Sequence, residues 1–402
     1  MKETGTWCET TDSEMHFTVQ SIHGLMKSPA FTAAAMSLAS RQLDYLDRRE
    51  RPLTLELYQH TIQLLLSQDT RTPGESVLAA CTLLCVYEMM ASEVHEWRRH
   101  LKGCAGLLQA QRWTGSAQGI VKSCFWAFAR IDIWAAFITG KTTLIPTDFW
   151  LDDTSVESVR GKGNIDDYCN LAILLFARIV NLLSTPGSNE NGYHRSGSVA
   201  LMSSLWKELQ KWYRLRPPEV CPLLEDYSPS KIFPAILFSR SSFICGNTFY
   251  HTGCILLLQT GAVPVGTSQT LLGDMDNVMW HSRRLAGISM SNSSHANWVN
   301  ELQPMYIVGT VFAQRDTPPN AAADGSLTSL PGHMSRPFIP TTRNDPVGRR
   351  ASAEGPSASW ESEDDYPAEK LLILKHLSRI ERETGWKTSD RAAALRSLWG
   401  LG

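Results

Sequence analysis

Residues 72–113, TPGESVLAACTLLCVYEMMASEVHEWRRHLKGCAGLLQAQRW, constrain the fold more than any other stretch, because they read as two helices joined by a short polar turn. Thr72 can cap the first helix, Pro73 sits where no N–H is needed, and Glu75 follows three residues after the cap. That is the pattern of a capping box. Val77, Ala80, Cys81, Leu84, Cys85 and Glu88 recur at three- and four-residue steps, so one apolar stripe faces inward. Beyond the turn at 91–94, Trp97, Leu101, Cys104 and Leu108 share a face, with Arg98, Arg99 and Lys102 outside it.

The chain has 402 residues, 43% of them hydrophobic, enough to bury a sizeable core in one large domain or two smaller ones. Lys and Arg number 38 against 40 Asp and Glu, so a chain-wide basic footprint for nucleic acid is excluded. No uninterrupted apolar run reaches bilayer length. The start, MKETGTWCETTDSEMHF, is polar and acidic, unlike a signal or transit peptide, and a soluble, non-secreted protein is expected. The nine cysteines are scattered through apolar helical runs, which suits buried reduced thiols better than disulfides. No Cys-x-x-Cys pair occurs, so the common zinc-ribbon and zinc-finger spacings are missing.

Along the chain, residues 1–15 read as disordered and 16–66 as helices rich in Ala, Leu and Gln, with the Arg48–Arg51 cluster a solvated turn. Residues 121–140 form a helix whose wide hydrophobic face is broken only by Arg130 and Asp132, which marks it as central to a core. A glycine-broken loop is expected over 150–165, a helix over 168–183, an exposed loop over 184–198 and a helix over 199–215. From 313 to 366 the sequence turns rich in Pro, Gly, Ser and Ala, and reads as a disordered insertion or a retained intron. Helices resume near Leu371. The expected fold is all-α, one large multi-helix domain over 16–312 completed by 367–402 after the insertion.

Several stretches carry a family resemblance. The helix ending in Glu88 precedes Trp97-x-x-His100-Leu101-x-Gly103-Cys104, and Phe125-Trp126-x-Phe128-x-Arg130-x-Asp132-Ile133 follows. Then come Leu205-Trp206-x-x-Leu209-x-x-Trp212-Tyr213-x-x-Arg216-Pro217, the pair Tyr250-His251, Gly287-Ile288 before Trp298 and Gln303-Pro304, and the closing Glu383-Thr384-Gly385-Trp386. In this order they resemble the regulatory domain of fungal zinc-cluster transcription factors, with Cys104 in place of the usual Ala. The resemblance singles out Glu88, Trp97, His100, Arg130, Asp132, Trp212, Tyr250, His251, Gly385 and Trp386 as motif positions, mostly structural. It implies a nuclear regulator of transcription, for example of a metabolic or secondary-metabolite gene set. In that family a separate N-terminal module of six cysteines holding two zinc ions reads DNA, and a coiled coil pairs two chains. Neither is recognisable in this sequence. The expected partners are therefore a second copy or a zinc-cluster relative, DNA only through a missing module or partner, and a small-molecule effector; no cofactor and no membrane contact are expected of this chain.

Ala135-x-x-x-x-Gly140-Lys141-Thr142 fits a loose phosphate-binding loop, but no strand precedes it, and Gly140-Lys141 reads as a helix C-terminus. His95 and His100 are five residues apart, so their imidazoles point about 140° apart and cannot share a zinc; His95 reads as a residue near the helix start and His100 as partly buried. Asp166-Asp167-Tyr168-Cys169-Asn170 fits the first magnesium motif of all-α terpene synthases without a second motif downstream. The alternative function is therefore an all-α enzyme acting on a prenyl diphosphate with magnesium at Asp166 and Asp167. Two acids at a helix start are otherwise explained by the macrodipole. Cys81 and Cys85 read as core, and His251 as a satisfied histidine in a packed helix.

Overall fold

The computed structural model describes residues 3–68, 74–184, 192–263, 275–313 and 366–401. Their helices are α1 (Thr4–Cys8), α2 (Ile22–Leu25), α3 (Pro29–Leu46), α4 (Pro52–Leu66), α5 (Glu75–Ala91), α6 (Val94–Ala110), α7 (Gly119–Thr139), α8 (Val156–Lys162), α9 (Ile165–Leu183), α10 (Gly192–Arg214), α11 (Ser241–Gln259), α12 (Val278–Ser291), α13 (His295–Val311), α14 (Pro367–Thr384) and α15 (Ser389–Leu398). The fold is all-α apart from one antiparallel ribbon of β1 (Leu224–Asp226) and β2 (Ala235–Leu237), in which Glu225 lies opposite Ile236.

Helix starts follow local chemistry. Ser28 accepts from the Phe31 N–H ahead of Pro29, Pro52 opens α4, and Asn164 accepts from the Asp167 N–H at the head of α9. Thr72 and Pro73 lie outside the described residues; α5 begins at Glu75 after Gly74. Its burial is wider than one stripe. Residues 78–80 and 82–88 are all buried, because α3, α6 and α7 surround the helix. On α6 the face of Trp97, Leu101, Cys104 and Leu108 is buried, but Arg98 is buried too, and its guanidinium donates to the Thr142 carbonyl at 2.6 Å. At the end of α7, Gly140 adopts φ +61°, the left-handed cap that stops the helix, so the phosphate-loop pattern is a helix C-terminus here.

The most enclosed helix is α11, buried without a break from Ser242 to Leu257 and wrapped by α9, α10, α12 and α13. Close packing on α12 depends on Gly287. A Cβ there would stand 2.2 Å from the Pro234 carbonyl oxygen, so this position has no room for a side chain. The β2 backbone is then fastened to the end of α12. Asn292 donates to the Ile236 carbonyl at 2.8 Å and accepts from the Phe238 N–H at 3.1 Å.

Several expectations are corrected. The N-terminus is not disordered over 3–15: α1 packs on α7 and α13, and Trp7, Cys8, Thr10 and Thr11 are buried. Its order comes from long-range contacts that local sequence does not announce. The loop expected at 150–165 contains α8, capped by Ser155, and residues 192–198 of the expected exposed loop belong to α10. The ribbon has no clear signal in its sequence. The insertion expected at 313–366 lies, apart from its two ends, outside the described residues. Beyond it, α14 and α15 pack on α13, and Trp386 meets Trp7 edge to face at 5.6 Å.

Candidate functional site

Most motif positions gather into three buried clusters, two polar and one aromatic, rather than one open cleft. The first lies around Tyr250 and His251 on α11. Stacked rings lead into it: Trp212 on Tyr250 at 5.6 Å and Tyr213 on Tyr250 at 4.5 Å. The Arg216 guanidinium sits 3.5 Å over Tyr213 and donates to the Asn247 amide oxygen at 2.6 Å. Tyr250 donates to Gln210 at 3.3 Å.

His251 continues the cluster as a directed hydrogen-bond chain. The Met275 carbonyl can only accept, so His281 Nε2–H donates to it at 2.8 Å. His281 Nδ1 is then free to accept from His251 Nδ1–H at 2.8 Å, and His251 Nε2 accepts from Arg284 Nε–H at 3.4 Å. Arg284 in turn pairs with Glu225 of β1 at 2.6 Å and contacts the Tyr227 hydroxyl. The two links in which a ring nitrogen accepts require both imidazoles to be neutral. Burial holds them so, pushing His281 down to about 4 and His251 well below its ordinary value. His251 is a satisfied histidine, as its place in a packed helix implies.

The second cluster is built on α7. Arg130 is 1% exposed and spends its donors on neutral partners: the Cys8 carbonyl at 2.9 Å, the Thr11 hydroxyl at 3.1 Å and the Asn300 amide oxygen at 3.2 Å. It therefore ties the N-terminal segment to α7 and α13. Two residues on, Asp132 accepts from the Leu144 N–H at 2.6 Å and fixes the chain after the helix. Burial pushes its carboxyl up to about 7, against the pull of nearby Arg98. The third cluster joins the ends of the chain, where Gly385 at φ +78° stops α14 and turns Trp386 onto Trp7.

Glu88 and Trp97 are buried in the first half of the chain, and Ser92 donates to Glu88 at 3.1 Å. His100 is more exposed than expected, 45% open, with its ring 3.6 Å from Glu88. His95 lies exposed in the first turn of α6. Asp166 accepts from the Ser13 N–H and hydroxyl, both at 2.8 Å, and Asp167 pairs with Lys122 at 2.6 Å. Both carboxylates hold α9 to neighbouring segments, and nothing in their surroundings supports the magnesium reading.

The arrangement offers little chemistry. Burial raises the thiols of Cys8, Cys81, Cys124, Cys169, Cys245 and Cys254, and the hydrogen bond with Cys104 together with burial raises that of Cys85, which suppresses the nucleophilic thiolate. Among the described residues all nine cysteines are free, and no three His, Cys, Asp or Glu are placed to hold a metal ion. The slit between Trp7, Trp134 and Trp386 measures about 20 Å³, room for roughly one water. No described helix is long and apolar enough to cross a membrane. Sequence reasoning missed Glu225 and Arg284 as site partners; an Arg one helical turn after His281 was the available signal.

Comparison with known proteins bears on the family of the chain. The transcription activator AMTR1 of Alternaria alternata is 25% identical over 303 residues, which cover 58% of this chain and 39% of that protein. The chain thus spans well under half the length of that relative. No solved structure matches. The family model for the fungal specific transcription factor domain matches residues 21–282, more than half of the chain. Its core motif helices from α5 to α11 lie within that match, which ends inside α12, and the chain belongs to the fungal-specific transcription factor domain family.

Proposed function

We propose that this chain is the regulatory part of a transcription regulator acting in the nucleus, and that it is not an enzyme. The observation that carries the reading is the family match over 21–282. The similarity to a protein named a transcription activator supports activation as its direction. The motif residues support a scaffold role, since Arg130, Asp132, Trp212, Tyr250 and His251 are buried in contacts to other parts of the same chain. DNA is reached through a zinc-cluster module or through a relative paired with this chain, since the charges of the sequence nearly balance. The regulated genes are a metabolic or secondary-metabolite set, and an effector or partner acts at the surface of the domain.

The test joins residues 1–402 to an unrelated DNA-binding module and reads a reporter in a fungal cell. A reproducible change in transcription over the module alone is expected. Equal output, with the fusion present in the nucleus, would overturn the reading. Mapping the 5′ end of the native transcript complements this, since an upstream in-frame exon with six cysteines would supply the DNA-reading module.

A further inference from the structure

An open groove of about 360 Å³ lies between the turn joining β1 to β2 and the helices α12 and α14. Residues 230–235 form one wall, and Met290, Ser291 and Leu372 form the other. Most of these side chains are apolar, and Ile232 keeps 37% of its surface exposed. A groove of this size falls at the low end of pockets that hold small molecules, roughly 300–1,000 Å³, and suits a pair of large side chains.

What stands beside the groove decides its occupant. Residues 314–365, between Ala313 and Tyr366, lie outside the described residues. The Phe312 ring lies 5.5 Å from Tyr366 and 6.0 Å from Phe233, and Phe233 lines the groove. Both ends of the 314–365 segment are therefore fastened next to it. Within that segment, two large apolar residues stand together between prolines at Arg336-Pro337-Phe338-Ile339-Pro340. Within the segment, 22 residues precede this pentapeptide and 25 follow it. At up to about 3.3 Å per residue they reach far beyond the width of a domain. Tethering of this kind holds a segment at millimolar effective concentration, and flanking prolines reduce the entropy lost on docking.

We propose that the groove is the docking site of the chain's own residues 336–340, with Phe338 and Ile339 seated between Pro234 and Leu372. The contact is intramolecular, and a foreign segment of the same apolar, proline-flanked chemistry would have to displace it. The proposal does not depend on the transcriptional role.

Amide hydrogen exchange on the full chain tests it. In the double variant Phe338→Asp, Ile339→Asp, amides of residues 230–235 should exchange at least about threefold faster at an unchanged melting temperature. A synthetic peptide of residues 334–342 should restore the protection, and should fail to do so once Leu372→Asp is added. If Leu372→Asp lowers the melting temperature, Ile232→Asp on the exposed wall replaces it. Equal exchange in wild type and double variant would overturn the proposal. So would protection that rises with protein concentration, since a second copy would then fill the groove, or peptide protection indifferent to the groove substitutions.

Discussion

Tyr168 and Trp212 exchange hydrogen bonds across the contact of α9 with α10. The Tyr168 hydroxyl donates to the Trp212 carbonyl at 2.6 Å, the Trp212 indole N–H donates to the Tyr168 carbonyl at 2.8 Å, and the rings stack at 5.5 Å. Each side chain satisfies the other's backbone, so the two helices are locked in register. Tyr168→Phe should cost about 1 kcal/mol and Trp212→Ala about 3–5 kcal/mol in urea denaturation. The double variant should cost less than the sum, because Trp212→Ala already removes the stacked ring that holds the Tyr168 side chain at its carbonyl partner. Strict additivity would mean the pair acts independently.

Stability should depend on pH through buried groups of opposite sign. His281 and His376 are pushed down to about 4 by burial, and burial holds His251 well below its ordinary value too. The unfolded chain takes up these protons near pH 6.5, so each histidine lowers stability as pH falls from there towards 4. Asp132 and Glu301 are pushed up to about 7 by burial, so the folded chain keeps protons that the unfolded chain releases near pH 4. Their penalty grows as pH rises from about 4 to 7. Glu301→Gln removes one such penalty, and its advantage over wild type should grow by about 2 kcal/mol between about pH 5 and 8. Parallel stability curves for the two proteins would contradict this.

Two motif glycines should respond in opposite directions. A Cβ at Gly287 would collide with the Pro234 backbone, whereas nothing lies within 4 Å of one at Gly103. Gly287→Ala should lose about 1–3 kcal/mol or more, as overpacking does. Gly103→Ala, in the interior of α6, should gain about 0.5–1 kcal/mol from helix propensity. Thermal unfolding of both variants checks the pair, and a gain at Gly287 would show that the contact with β2 is loose.

The N-terminal segment should behave as part of the core. Trp7 is 3% exposed, and Arg130 holds the backbone just after it. Trp7→Ala should cost about 3–5 kcal/mol. Limited proteolysis should leave residues 3–13 intact in the native protein, and early cleavage there would place the segment outside the fold.

Purified residues 1–402 should bind DNA weakly and without a steep salt slope. Lys and Arg are outnumbered 40 to 38 by acids, and phosphate neutralisation supplies most non-specific affinity. A submicromolar complex that dissolves as salt rises would contradict this expectation.

Much of this protein was legible in its residues. Helical spacing, alanine and leucine content and missing strand signals set the all-α class, and the apolar run at 121–139 marked α7 as a core helix. Gly140 announced its own cap, because a left-handed end is a local matter. The ordered motifs carried the family. Other features depend on residues far apart in the chain. His251 needs His281, Trp7 needs Trp386, Arg130 needs the Cys8 carbonyl, and Gly287 is crowded by Pro234. Sequence periodicity reports which side of a helix is apolar, but not which helix will cover it. Burial of α5 and α11 on nearly every side, and order in a polar N-terminus, arise only when distant segments exclude water together. That cooperative exclusion is a property of the packed chain, which local propensity cannot express.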